Sequence, residues 1–593
     1  MEEDEKSAMW EVAARAKEVF CHGDLLSAVQ RLCLFEDCKT FVDMPQKQGV
    51  KETLAAFVAL TEDQKQSSTE MRSFVDQHFS APGHDLLPSA QLTIMFITLY
   101  QVRVGELREW AREIHHLWPE LVREVLLLRF IPTCLASAAA SNFSAHILHH
   151  RLASPTSLHD RHPVVVPGGR FRESYYWDSY WSVKGLLVSG MLVTARGVVE
   201  NLLEDVERFG MVPNGGRIYY TQRSQPPLLS EMVCAIYEAS LDDGFLAKAL
   251  PLLETEYKWW MSPEGSRVVM VGKHQLNRYW SAARVPRPES FREDEATSKL
   301  GGEAVLPHLT AAAESGWDFS TRWMVSDEGG HGLQHTNTCN TIPADLNALL
   351  YRMELNLARL GKAREAREVH EGVQGRARPL DYSVHELGDT PYGAAASRRA
   401  EAMKSLMWCQ QERRWCDLTV KQVEPPATEE ASLEGRAAPE RDVWAQSTKI
   451  SAASFIPLWA GLEEGKEVVQ GLHESGLVLP GGVSTSLQKS GEQWDHPNAW
   501  APVQWMIIEG LEMVGTAQSK ELANSLAQRW LSGCHIAWKA TGAMHEKYSA
   551  AVLGETGKGG EYKPQLGFAW TNGVALDLLV KYANAESSQP HPN

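Results

Sequence analysis

Residues 167 to 181 read PGGRFRESYYWDSYW, and their types suit recognition of a polyhydroxylated ring. A proline and two glycines make a tight turn. Arg170, Glu173, Trp177, Asp178 and Trp181 follow within a short span. A guanidinium or a carboxylate can hold two neighbouring hydroxyls, while an indole packs on the C–H face of a sugar. The same mix also suits a helix start with a salt-bridged surface. A second dense cluster, QWDHPNAWAP, occupies residues 493 to 502.

Other chemistries fail on spacing. His331 and His335, in HGLQH, stand four apart, but the Glu of an HExxH zinc motif is missing. The pairs His115-His116 and His149-His150 are adjacent, so on a helix they point in different directions. GETGKGGE, at Gly554 to Glu561, lacks the Ser/Thr and spacing of a phosphate loop and reads as a flexible loop. No GxSxG element marks a serine hydrolase, and no CxxC pair marks zinc or redox chemistry. No metal and no organic cofactor is therefore expected.

Composition narrows the partners. The 593 residues carry a formal net charge of -17, which repels phosphate backbones and argues against nucleic acid. A neutral sugar is indifferent to that charge. Trp is frequent, at 20 residues, although a single Trp more often fills a core than binds a ligand. Nine scattered Cys do not form a dense disulfide framework. No apolar stretch is long enough to span a membrane.

The elements that must position these clusters are helical. Leu192, Ala195, Val199, Leu202, Val206 and Phe209 recur at three- and four-residue steps, and Gly210 ends the run. Leu346, Leu349, Met353, Leu357 and Leu360 repeat the pattern, with Asp345 near the start and Gly361 as the expected end. Leu522, Leu526, Trp530 and Trp538 mark a third face. Strand patterns are scarce; Arg267 to Val271 is a short candidate. Between helices lie loops rich in Gly, Pro, Trp and charge: Pro167 to Arg170, Pro213 to Arg217, Pro286 to Ser290 and Gly481 to Pro502. Residues 421 to 441, rich in Pro, Ala and Glu, predict a mobile surface loop, and residues 584 to 593 a flexible tail. No other linker is evident, so one large domain over residues 1–593 is expected.

The two clusters resemble the signature stretches of the trehalases, a glycoside hydrolase family. Further matching stretches run in order along the chain: CHGDLLSAVQ at Cys21 to Gln30, KTFVDMP at Lys39 to Pro45, PNGGRIYYTQRSQPP at Pro213 to Pro227 and LNRYW at Leu276 to Trp280. PRPESFRED follows at Pro286 to Asp294 and ESGWDFSTRW at Glu314 to Trp323. EKYSA at Glu546 to Ala550, GGEY at Gly559 to Tyr562 and GFAWTNGV at Gly567 to Val574 complete the set. Several stretches are similar to the animal branch. The chain departs from the family pattern at His496, Ala499, Ser549 and Ala569, at GGVSTS (481–486), and around Trp415, where only Asp417 of an Asp-Tyr-Asp stretch remains, followed by Leu418.

The resemblance implies an all-α fold, a toroid of six helical hairpins or (α/α)6 barrel, with the site at one mouth. It implies an inverting hydrolase that cleaves α,α-trehalose to two glucose molecules. Asp318 would be the general acid and Glu546 the general base. Sugar-binding positions carry over to Arg170, Trp177, Asp178, Asn214, Arg223, Ser224, Gln225, Arg287, Glu289, Gly316 and Glu561. From residue types alone neither Asp318 nor Glu546 stands out among 75 acidic residues. Two alternatives remain at this stage: another glucosidase on the same toroid, and a sugar-binding homologue that has lost catalysis. The animal branch of the family is usually secreted or lipid-anchored at the cell surface, which the resemblance extends to this chain as an expectation. The charged start, Met1 to Lys6, and the polar end carry neither signal, so a cytosolic location is also compatible, and membrane association is expected only through an anchor absent from this sequence.

Overall fold

The computed structural model describes residues 16–89, 102, 105–125, 157–158, 161–325, 332–368, 380, 382–421, 443–462 and 465–583. His331, His149-His150, residues 422–442 and the 584–593 tail lie outside them.

Twelve helices alternate between an outer and an inner position. The outer ones are α1 (Gly105–His115), α3 (Leu192–Phe209), α5 (Asp243–Trp260), α7 (Pro391–Leu406), α9 (Gly465–Glu474) and α11 (Ala517–Thr541). The inner ones are α2 (Tyr176–Val188), α4 (Leu229–Ser240), α6 (Ala344–Glu368), α8 (Ile456–Ala460), α10 (Ala501–Val514) and α12 (Ala569–Tyr582). Each inner helix packs on the next, α2 on α4, α4 on α6, α6 on α8, α8 on α10 and α10 on α12, and α12 returns to α2. The outer helices pack on this ring from outside. The result is the expected double ring of six hairpins.

Sequence explains which helix goes where. α2, α10 and α12 are buried on nearly every face and have no polar stripe. A helix apolar all round belongs inside. α3 and α11 bury one face and expose the other. The ring closes where α2 meets α12 at Gly185 and Gly573. A Cβ on Gly185 would come within 2.5 Å of the Gly573 Cα, so only glycine permits this approach.

The helix expectations hold with one correction. α3 spans Leu192–Phe209 and stops at Gly210, which adopts a left-handed φ of 74°. α6, however, runs through Gly361 to Glu368. A mid-helix glycine costs only about 1 kcal/mol. Here the good helix formers Lys362 to Arg364 follow it, and Ala363 is buried. The strand candidate is real: Val268–Val271 pairs antiparallel with His274–Asn277. The expected loop at 421 to 441 begins one residue inside a strand, because Leu418–Lys421 pairs with Val443–Gln446 across it.

The connections entering the inner helices are long, and the returns at residues 189–191, 241–242, 461–464 and 515–516 are short. The long loops therefore gather at the N-terminal ends of the inner helices, at one mouth of the ring. A smaller helical unit over residues 16–79 packs there. Its core holds Phe20, Phe41, Phe57, Phe74 and Phe79 and extends onto Tyr175, Tyr219, Tyr220 and Phe291 of the mouth. No described helix is long and apolar enough to cross a membrane.

Candidate active site

The mouth encloses a pocket of about 680 Å3, opening included. Arg170, Trp177, Asp178, Asn214, Arg223, Gln225, Arg287, Glu289, Gly316, Asp318, Glu546 and Glu561 all line it. Ser224 is the exception among the carried-over residues. Its hydroxyl donates to the Val212 carbonyl at 2.6 Å and its amide donates to Glu314 at 3.0 Å, so it braces the wall from behind. Of the first cluster, Glu173 and Trp181 also sit behind the wall. Glu173 is buried against Lys39 at 2.7 Å, and Trp181 packs edge-on against Trp177 with centroids 5.6 Å apart.

The loop that carries Asp318 is anchored at both ends. Glu314 accepts from Ser224 N, from Trp280 N at 3.1 Å and from Arg267 at 2.7 Å. Arg322 grips Asp345 and Asp417 in two-pronged pairs with closest contacts of 2.6 and 2.7 Å. Asp417 also accepts from the Ala344 amide at the start of α6. Asp495 of the second cluster closes the clamp: it accepts from Ser320 Oγ, Thr321 N, Thr321 Oγ1, Ser486 Oγ and Ser490 Oγ. Gly316 turns the chain at φ 73°, and a Cβ there would lie 2.8 Å from the Trp177 ring. The glycine lets the backbone lie against that indole.

Glu546 enters by a different route. It immediately precedes the short strand Lys547–Ser549, which pairs antiparallel with Asn498–Trp500 of the second cluster. Its carboxylate accepts from Tyr562 Oη at 2.6 Å and from the Gln565 amide at 3.1 Å. The two carboxyls thus hang from separate loops, each held by its own hydrogen bonds.

Charge is crowded here. Burial pushes the Asp318 carboxyl up to about 6, against the pull of Arg287 and Arg223. Burial also raises Glu546, opposed by Lys547, the Tyr562 hydroxyl, the Gln565 amide and Arg170. Glu561 is pushed up to about 8 by burial, with Arg287 opposing and Asp294 and Asp318 reinforcing. Asp178 is raised well above the usual carboxyl range by burial, and the charges of Glu546 and Asp318 add to it. Burial and mutual repulsion thus favour the protonated forms of these carboxyls.

Each guanidinium is locked by a carboxylate. Arg170 forms two 2.7 Å bonds to Asp37 and stacks 4.5 Å above the Tyr562 ring. Arg223 donates to Glu289 at 2.6 Å. Arg287 donates to both oxygens of Asp294, at 2.9 and 2.6 Å, and to Glu561 at 3.4 Å. Asn214 Nδ2, Arg223 Nε and Glu289 Oε2 are buried in the pocket wall with no partner among the described residues. Unpaired buried polar atoms are costly unless something satisfies them. A ligand rich in hydroxyls would do so. Trp494 stacks on Trp500 at 4.2 Å and on Trp317 at 4.9 Å, and Trp177, Trp494, Trp500 and Trp570 face the pocket.

Sequence reasoning missed Asp37, Asp294, Gln493, Lys547 and Tyr562. Asp294, Lys547 and Tyr562 lie inside stretches that carry the resemblance, and the last two adjoin Glu546 and Glu561. Gln493 opens the second cluster. Asp37 sits on the smaller helical unit, and nothing in its neighbourhood marks it as the partner of an arginine 133 residues away. Four of the departures from the family pattern have definite local contacts. The Ser549 hydroxyl accepts from Val552 N, and the Ala569 amide donates to the Pro167 carbonyl. Ala499 is buried within a strand, and His496 lies beside Ser484 at 3.4 Å.

A trehalase family model matches residues 33–583. The chain belongs to the trehalase family. Relatives come from plants and animals alike. It is 38% identical to a probable trehalase of Oryza sativa subsp. japonica over 568 residues, 92% of each chain. It is 34% identical to the trehalase of Homo sapiens, covering 96% of this chain and 90% of that one. Among solved structures it is similar to the neutral trehalase Nth1 of Saccharomyces cerevisiae, with 25% identity, a TM-score of 0.54, and 72% and 74% of the two chains covered.

Proposed function

We propose that this enzyme hydrolyses α,α-trehalose to two glucose molecules with inversion at the attacked carbon, Asp318 serving as general acid and Glu546 as general base. The observation that carries this is the pairing of two buried carboxyls on separately anchored loops, facing one pocket walled by indoles and unpaired polar atoms. An acetal oxygen is a poor leaving group until it is protonated. Asp318 supplies that proton; burial lifts its pKa to about 6 and keeps a share of it protonated toward neutral pH. As the C–O bond breaks, the electron pair goes to the leaving oxygen. Glu546 removes a proton from a water that attacks the anomeric carbon from the opposite face. The Tyr562 hydroxyl, the Gln565 amide and the Lys547 charge favour its ionised form against burial. The reaction needs only the two carboxyls and that water.

Asn214, Arg223 and Glu289 offer unpaired polar atoms to sugar hydroxyls, and Arg170, Asp178, Gln225, Arg287 and Glu561 add to the polar wall of the pocket. The test is glucose release from trehalose, maltose and sucrose by the parent, Asp318→Ala and Glu546→Ala. Activity confined to trehalose and lost in both variants supports the proposal. A glucoside bearing a much better leaving group should partly restore Asp318→Ala alone, since departure then needs no proton. Full activity in either variant, or a preference for another glucoside, would overturn it.

A further inference from the structure

Lys547 is completely buried, which is rare for a lysine without a carboxylate partner. Its ammonium forms no ion pair among the described residues. It donates to Gln493 Oε1 at 2.9 Å and to the Gly559 carbonyl at 3.0 Å, and it lies 5.0 Å from the Trp500 ring centre and 5.8 Å from that of Tyr562. The charges that reach it belong to Glu546, its chain neighbour, and to Asp318. An ammonium can only donate, so it takes the oxygen end of the Gln493 amide. The amide nitrogen is thereby turned toward the Asp318 carbonyl, to which it donates. Gln493 is itself fixed, because its main-chain carbonyl accepts from Asn498 Nδ2 at 3.0 Å and Trp500 Nε1 at 2.9 Å.

We propose that Lys547 and Gln493 form a positioning strut that ties the Asp318 loop to the Glu546 strand, and that the Lys547 ammonium, one residue along that strand, is one of the positive charges that favour the ionised form of Glu546. The chain of contacts runs from the Asp318 carbonyl through the Gln493 amide to the Lys547 ammonium, one residue from Glu546. Held by neutral acceptors, the ammonium leaves its field free to act on both reacting carboxyls. Burial has lowered its own pKa to about 8, so the charge is present where the base must be ionised. A small error in the separation of the acid loop and the base strand would misplace the attacking water.

The inference rests on the acid and base roles proposed above, and its test separates the two. Three full-length variants are compared by pH profile, kcat, KM and melting temperature. Lys547→Met removes charge and strut; its acid limb in kcat/KM should move up by roughly 1 pH unit, the smaller end of what a neighbouring unlike charge does to a carboxyl, and kcat should fall. Lys547→Arg restores the charge, so the limb should return while kcat stays low. Gln493→Leu keeps the charge and cuts the tether; the limb should stay in place while kcat falls roughly 10- to 100-fold. A folded Lys547→Met enzyme with an unmoved limb would overturn the proposal. Should that variant not fold, Gln493→Leu decides: parental kcat there overturns it. If instead Asp318→Asn and Glu546→Gln keep full turnover, the acid and base assignment fails, whatever the strut variants do.

Discussion

Replacing Tyr562 with Phe removes one oxygen and little else. The Tyr562 hydroxyl donates to Glu546 Oε1 at 2.6 Å, while the ring lies under the Arg170 guanidinium and against the Phe171 edge at 5.3 Å. Phe keeps both ring contacts. Glu546 retains the Gln565 amide on its other oxygen. A hydrogen bond to a charged group contributes about 1.5–3 kcal/mol. Since one pKa unit corresponds to about 1.4 kcal/mol, the Glu546 pKa should rise by roughly 1–2 units. Glu546 must be ionised to act as base, so activity climbs as pH rises through its pKa. The acid limb of kcat/KM should therefore move to higher pH by that amount. Asp318, near 6, sets the alkaline limb, because activity is lost as the acid ionises. The two limbs would converge, and the best attainable rate would fall. Initial rates of glucose release across the pH range give both limbs, and circular dichroism checks the fold. An unmoved acid limb in a folded variant would refute the view that this hydroxyl helps hold Glu546 ionised.

Other variants test other parts of the site. Arg287→Met removes a cation that opposes the rise of Asp318, so the alkaline limb should move to higher pH; it also strands Asp294 in a buried position, and the stability loss in urea should reach about 3–5 kcal/mol. Gly316→Ala forces a side chain into a left-handed turn, costing about 1–2 kcal/mol, and pushes on the Trp177 ring; kcat/KM should fall roughly 100-fold, and an Ala variant with parental rates would show that the close approach does not matter. Replacing residues 422–442 by a short Gly/Ser linker should leave the melting temperature nearly unchanged, because the flanking strands 418–421 and 443–446 already pair with each other; a large drop would show that the segment packs.

The helical frame was legible because its periods are strong, as in Leu192 to Phe209 with its terminating glycine. Gly361 misled because a glycine ends a helix only when the following residues do not extend it. Clusters of site residues were legible where the chain brings them close in sequence, as at 167–181 and 493–502. Which member does what was less so. Asp495 and Asp178 stand in similar company, each next to a Trp, yet Asp495 is consumed by five donors that brace the acid loop while Asp178 faces the pocket. Ser486 and Ser490 are near Asp495 in sequence, but the bonds to Ser320 and Thr321 reach 175 and 174 residues back, which no local pattern encodes. The pairing of Asp37 with Arg170 is likewise made across 133 residues, and Ser224, carried over by resemblance, spends its hydroxyl and amide on Val212 and Glu314.

The central claim is a single attack by water, with Asp318 and Glu546 on opposite sides of the ring. Inverting sites hold their two carboxyls roughly 6.5–9.5 Å apart and form no covalent sugar. Proton NMR of the first-formed products, taken before mutarotation, tests this most directly. The account predicts one β-glucose from the attacked ring and one α-glucose from the leaving ring; two α-glucose molecules would mean a double displacement through a glycosyl-enzyme and would contradict it.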